Sequence, residues 1–63
     1  MRLNRTKISL LMAKLLISQA SLAAKAGISR QTMSAVMNGR NCRPELLGKI
    51  SQALGVEPEE IIE

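Results

Sequence analysis

The chain predicts an all-α fold, five short helices closing around one apolar centre, and three observations carry that prediction. Apolar residues recur at helical spacing along most of the 63 residues. No segment alternates with a period of two, so no strand is predicted. Caps and breakers fall at short intervals, from Asn4 and Thr6 through Gly27, Ser29, Asn38-Gly39 and Pro44 to Gly55 and Pro58. The length allows a single domain, residues 1–63, near the lower end of what folds without staples.

Helix 1 is expected to start after Asn4 or Thr6, either of which can cap it, and to run to about Ile17. Ile8, Leu11, Met12 and Leu15 recur at i, i+3, i+4 and i+7 and form one buried stripe. Leu10 and Leu16 lie off that stripe, so this helix is expected to be covered on two sides. Helix 2 is predicted over 20–26 and helix 3 over 30–38, the latter stopped by Asn38-Gly39. Arg40 to Arg43 make a basic loop. Pro44 then sits in the first turn of helix 4, where its missing N–H costs nothing. Leu46, Leu47, Ile50, Ala53 and Leu54 form the inner face of helix 4, which ends at Gly55. Pro58 opens a last short helix, with Glu57, Glu59 and Glu60 near its positive end and Ile61 and Ile62 as apolar anchors.

Composition narrows the chemistry. At 46% hydrophobic and 22% charged the chain is globular, and without Phe, Tyr or Trp its core must be built from Leu, Ile, Val, Met and Ala. Absent aromatics also disfavour single-stranded RNA, whose bases are held on stacking platforms. The single Cys42 cannot form an internal disulfide and suits a reducing cytoplasm. It reads as a passive loop thiol, although Arg40 and Arg43 beside it would lower a thiol pKa, as a redox switch needs. With no His, neither a zinc site of the common kind nor a proton-transferring imidazole can be assembled. No catalytic residues, metal or cofactor are expected, and the glutamates near the C-terminus read as a solvated helix end.

Charge is distributed unevenly. The whole chain is +4, but residues 1–44 carry Arg2, Arg5, Lys7, Lys14, Lys25, Arg30, Arg40 and Arg43 with no acid. Residues 45–63 hold all five glutamates against Lys49 alone. Such asymmetry points to a polyanionic partner for the basic part, the plain alternative being a scattered, solvated surface. The N-terminus also imitates a secretory signal, since Arg2, Arg5 and Lys7 precede ISLLMAKLLI and small residues follow. Lys14 interrupts that run, and cleavage near Ala23 or Ala24 would leave about 40 residues with no staple. No apolar run approaches the ~20 residues of a membrane span, so no membrane partner is expected.

Gln19 to Asn38, QASLAAKAGISRQTMSAVMN, carries the functional information. It reads as two short helices hinged at Gly27-Ile28-Ser29, with Gly27 free to adopt a left-handed backbone and Ser29 able to cap the second helix. Ala23 is small where the helices approach, and Leu22, Ala26, Ile28, Met33 and Val36 are apolar where they face inward. The segment resembles the helix-turn-helix of the Cro/CI-type (Xre-like) family, which includes the lambdoid phage repressors and Cro proteins. The resemblance implies a compact five-helix, lambda-repressor-like DNA-binding domain with its helix-turn-helix at helices 2 and 3.

In helix-turn-helix proteins the second helix enters the major groove by its N-terminal end. Arg30, Gln31 and Thr32 occupy that end. Arg donates two hydrogen bonds to guanine, Gln pairs similarly with adenine, and Thr offers a methyl to thymine or a hydroxyl to phosphate. Ala35, one turn on and beside Ser34, is placed to meet a thymine methyl. The alternative is that these are solvated residues at an exposed helix start.

Phosphate contacts are expected from Gln19 and Ser29 at helix starts and from Asn38, Arg40, Asn41 and Arg43 in the loop after helix 3. The Gln19 role is also implied by the family, where an equivalent Gln commonly contacts phosphate. The loop reads alternatively as a plain Asn-Gly turn with solvated arginines. Lys7, Lys14 and Lys25 would act by long-range attraction. One departure stands out: where several phage members pair an Arg in helix 1 with a Glu ending helix 3, this chain has Met12 and Met37. An apolar pair replaces a buried ion pair without loss of stability, but operator preferences of those members do not carry over.

Those features predict a sequence-specific double-stranded DNA-binding transcriptional regulator, a repressor by default because it would act by occupying its operator. Binding as a homodimer to a palindromic operator is expected, through Val56, Pro58, Ile61 and Ile62 in the region after helix 4 that phage members use. The alternative is that the same residues close the core of their own subunit. Two other readings stay open: an antitoxin or anti-repressor module whose acidic C-terminal part grips a protein partner, and a secreted or membrane-active peptide built on helix 1. The chain reads equally as a Cro-like whole or as one domain of a longer repressor.

Overall fold

Asn4 opens the first helix, its side-chain oxygen accepting the Lys7 amide at 3.1 Å in the computed structural model, which describes residues 1–63. Four α-helices follow in order: α1 (Arg5–Leu15), α2 (Gln19–Ala26), α3 (Arg30–Met37) and α4 (Pro44–Leu54). Ser18 caps α2 through the Ser21 amide at 3.1 Å, and Ser29 caps α3 through the Thr32 amide at 3.0 Å. No side chain caps α4; Pro44 at its start removes one unpaired donor, and Glu45 in its first turn suits the positive end.

Three of the helices end in a left-handed residue, at two glycines and one leucine. Gly27 (φ 72°) closes α2 and Gly55 (φ 73°) closes α4, where a missing Cβ makes that backbone cheap. Leu16 closes α1 at φ 57°, a conformation that costs a residue with a Cβ about 1–2 kcal/mol. The Ile17 amide donates to Met12 O at 3.1 Å across this turn, so α1 stops two residues short of Ile17.

The core is a cluster of 13 buried apolar residues drawn from all four helices and from Leu3, Cys42 and Ile61. α2 packs chiefly against α4 and α3, and Leu22 and Ala23 lie at the centre. Ser51 is the one buried polar residue, and its hydroxyl donates to Gly48 O at 3.0 Å. No buried polar side-chain atom lacks a partner.

Two expectations are corrected here. α1 is not covered on two sides: Ile8 is buried and Leu11 and Met12 are half-buried, whereas Leu10 is 65% and Leu16 91% exposed. Leu15, assigned to the buried stripe, is also exposed.

The fifth helix is not an α-helix but a single short turn. Pro58–Glu60 form a single 3₁₀ turn in which the Glu57 amide donates to the Glu60 carboxylate at 2.9 Å. The chain then extends, and Leu3 and Ile62 form one antiparallel bridge. The Asn4 amide donates to Ile61 O at 2.7 Å, and the Glu63 amide to Arg2 O at 2.9 Å. Ile61, in the bend that ends the 3₁₀ turn (φ −119°, ψ 13°), is fully buried, while Ile62 in the bridge stays half-exposed. One paired position is too short to leave a period-two pattern in the sequence.

Candidate nucleic-acid interface

The turn between α2 and α3 is built from its own backbone. The Gly27 amide donates to Ala24 O at 3.2 Å and the Ile28 amide to Ala23 O at 3.0 Å, which folds the chain tightly back. Ser29 then fixes the start of α3 twice over, accepting the Thr32 amide and donating its hydroxyl proton to Thr32 Oγ1 at 2.8 Å. Met33, Val36 and Met37 turn inward and are buried. By helical periodicity that leaves Arg30, Gln31 and Thr32 exposed, with Ser34 and Ala35 half-buried beside the core face.

Beyond α3 the chain turns at Asn38 and Gly39 and comes back along the same side. The Arg40 amide returns to Ala35 O at 3.1 Å, and the Cys42 amide reaches Met1 O at 2.6 Å. An open cleft of about 730 Å³ lies between α3 and this loop, lined by Gln31, Thr32, Ala35 and Val36, by Arg40, Asn41 and Arg43, and by Leu46 of α4. Small-molecule sites are enclosed and mostly apolar. This one presents two guanidinium groups, two amides and a hydroxyl over a small apolar floor, which is chemistry for an extended polyanion with flat polar edges.

The cleft thus unites six of the residues singled out from sequence: Gln31, Thr32 and Ala35 from α3, and Arg40, Asn41 and Arg43 from the loop. Arg30 is exposed at the tip of α3 but does not line the cleft, and Gln19 is exposed at the start of α2. Ser29 spends its hydroxyl on Thr32, and Asn38 directs its amide to Ser34 Oγ at 3.5 Å, so both have local partners. Leu46 is a site-lining residue that the sequence placed only on the inner face of helix 4. It is half-buried, touching core and cleft together, and no spacing rule separates those two uses.

Two further residues differ from expectation. Cys42 is buried, and burial pushes its thiol pKa up, outweighing the opposing pull of the nearby N-terminal charge. The arginines expected to lower it are exposed to solvent. Ile61, counted among the candidate dimer residues, is fully buried in its own subunit, so Val56, Pro58 and Ile62 alone retain partial exposure. Of the Met12 and Met37 positions, Met37 is buried and Met12 packs half-buried against the core.

Two helices joined by a tight left-handed turn, the second standing exposed beside a basic loop, define the helix-turn-helix class. A family model described as the Cro/C1-type HTH DNA-binding domain matches residues 7–63, and the chain belongs to that family. It is a DNA-binding domain of the regulatory kind. No curated protein and no solved structure gives a match. No single helix is long and apolar enough to cross a membrane.

Proposed function

We propose that this domain is a sequence-specific transcriptional regulator that represses by occupying a double-stranded operator, bound as a homodimer. The observation that carries the reading is the shared cleft: Gln31, Thr32 and Ala35 stand opposite Arg40, Asn41 and Arg43 on one surface. Groups suited to base edges and groups suited to phosphates are therefore presented together, as a duplex requires.

In this reading α3 enters the major groove by its N-terminal end. Arg30 and Gln31 address purine edges there, and Thr32 and Ala35 address a thymine methyl or a neighbouring phosphate. Arg40, Asn41 and Arg43 hold one strand of the backbone, and Gln19 holds it from the start of α2. Val56, Pro58 and Ile62 supply the two-fold contact.

Selection of bound duplexes from a randomised pool tests the reading. Enrichment of two inverted half-sites, centred about 10 base pairs apart, is the expected outcome. A pool that stays random under low and moderate salt would end it.

Exposed leucines in α1 and at its C-cap favour a second reading, in which the same domain also grips a protein. Leu10 and Leu16 stand mostly in solvent and take no part in the cleft. A stoichiometric partner lost on Leu10→Gln, with DNA binding retained, would support it.

A further inference from the structure

The first four residues have no role in the reading above, and the family match begins only at residue 7. Yet they touch both the C-terminal segment and the loop after α3. On one side, Arg2 O accepts the Glu63 amide at 2.9 Å and the Asn4 amide donates to Ile61 O at 2.7 Å. Leu3, between those two bonds, is buried in the core. On the other side, Met1 O accepts the Cys42 amide at 2.6 Å, and the Met1 nitrogen donates to the Asn41 side-chain oxygen.

We propose that residues 1–4 are a strap that positions the loop Arg40–Arg43 for the phosphate backbone, an inference that rests on the DNA-binding reading given above. Gly39 sits at φ 102°, and after the Arg40 amide returns to Ala35 O the next backbone anchor is the Cys42 amide on Met1 O. Asn41 lies between these anchors, exposed, with Arg40 and Arg43 on either side. A loop carrying two long cationic side chains loses considerable freedom when it docks, and a backbone already fixed loses less.

The strap's hold on the loop comes from the far end of the chain. Ile61 is fully buried and fixes the C-terminal segment; that segment pins Arg2 and Asn4; and the strap passes the constraint to Cys42, whose own side chain is buried. A continuous line of backbone hydrogen bonds therefore links the C-terminal segment to the phosphate-facing loop. A helix through these residues would instead commit the Glu63 amide to a carbonyl four residues back and withdraw it from Arg2 O.

Glu63→Pro tests the inference, because it removes one strap hydrogen bond at an exposed position and leaves the core untouched. Leu3→Ala, which withdraws the strap's buried anchor, is the stronger companion. Each is compared with the parent chain by amide exchange and by binding to the selected duplex over a salt series.

Expected results for Glu63→Pro are faster exchange of the Cys42 amide with Ile50 unchanged, roughly tenfold weaker binding to every duplex, and a log–log salt slope smaller by about 1–2, since each phosphate contact supplies ~0.9. Leu3→Ala should show the same binding and slope changes on top of a general loss of stability. Base preferences should not change. A lower melting temperature with an unchanged salt slope and unchanged Cys42 exchange would make the strap merely structural and overturn the inference. If the parent chain selects no duplex, the DNA-binding reading fails, and Cys42 exchange alone decides whether the strap holds the loop.

Discussion

Ser29 and Thr32 are joined by two hydrogen bonds in opposite senses: the Thr32 amide donates to Ser29 Oγ at 3.0 Å, and the Ser29 hydroxyl donates to Thr32 Oγ1 at 2.8 Å. One residue thereby caps α3 and orients the side chain that faces the cleft. Stability and binding geometry meet at this pair, and substitutions can separate them.

Ser29→Ala should cost about 1 kcal/mol of stability through loss of the cap. Ser29→Asp keeps an N-cap of equal quality but places a negative charge beside the end of α3 proposed to meet DNA. Its melting temperature should stay at or above that of the parent, while its affinity for every duplex falls. Thermal melts paired with binding isotherms check both variants, and a Ser29→Asp chain that bound as well as the parent would move Ser29 away from the interface.

Arg30 and Arg43 should fail in different ways. Arg30→Ala is expected to cost roughly 1–3 kcal/mol at the preferred duplex and to relax one base position. Arg43→Ala should weaken all duplexes alike and reduce the salt slope by about 0.9. Titrations against the selected duplex and single-base variants, at several salt concentrations, distinguish the two patterns. Because Arg30 does not line the cleft, this comparison is also the sharpest check on the proposed entry of α3 into the groove.

The same substitution at two glycines should have opposite signs. A Cβ built at Gly27 or at Gly48 meets nothing within 4 Å, so space does not distinguish them. Gly48 lies in the interior of α4 and has ordinary backbone, and Gly48→Ala should add about 0.5–1 kcal/mol by lowering unfolded-chain entropy. Gly27 is held at φ 72°, and Gly27→Ala should lose about 1–2 kcal/mol. Denaturant or thermal unfolding of the two variants reads the difference directly.

Cys42 predicts a pH dependence confined to the alkaline side. Burial raises its folded-state pKa above the unfolded value, so the fold favours the protonated thiol. The resulting stabilisation is complete below the unfolded thiol pKa and is lost as pH rises through the folded one. Melting temperature should therefore fall more steeply at alkaline pH in the parent than in Cys42→Ala, and the native thiol should react slowly with thiol reagents near neutrality. Rapid labelling of the folded chain would contradict the burial argument.

Much of the helix-turn-helix was legible because its determinants are local. Gly27 and Ser29 act on their own backbone or within three residues of it, and the inward positions Leu22, Met33 and Val36 follow helical period alone. The basic loop was legible from charge and from Asn38-Gly39. Leu46 was not, because a half-buried residue shared by core and cleft leaves the same periodic mark as a buried one. Leu10, Leu15 and Leu16 were misjudged for a related reason: hydrophobicity says that burial would be favourable, not that a covering element exists.

The four α-helices, the caps at Asn4, Gly27, Ser29 and Gly55, the turn between α2 and α3, and the concentration of positive charge in the first 44 residues are all written in the chain itself. These follow from backbone preference, from periodicity and from composition, which act over a few residues or over none at all. It took the closed fold to make the residues after Gly55 a 3₁₀ turn and an extended tail, to turn Ile61 inward, and to bring Leu3 against Ile62. Pairing between residues almost a full chain length apart is settled by which backbone groups find partners once the core has closed, and no local pattern records it.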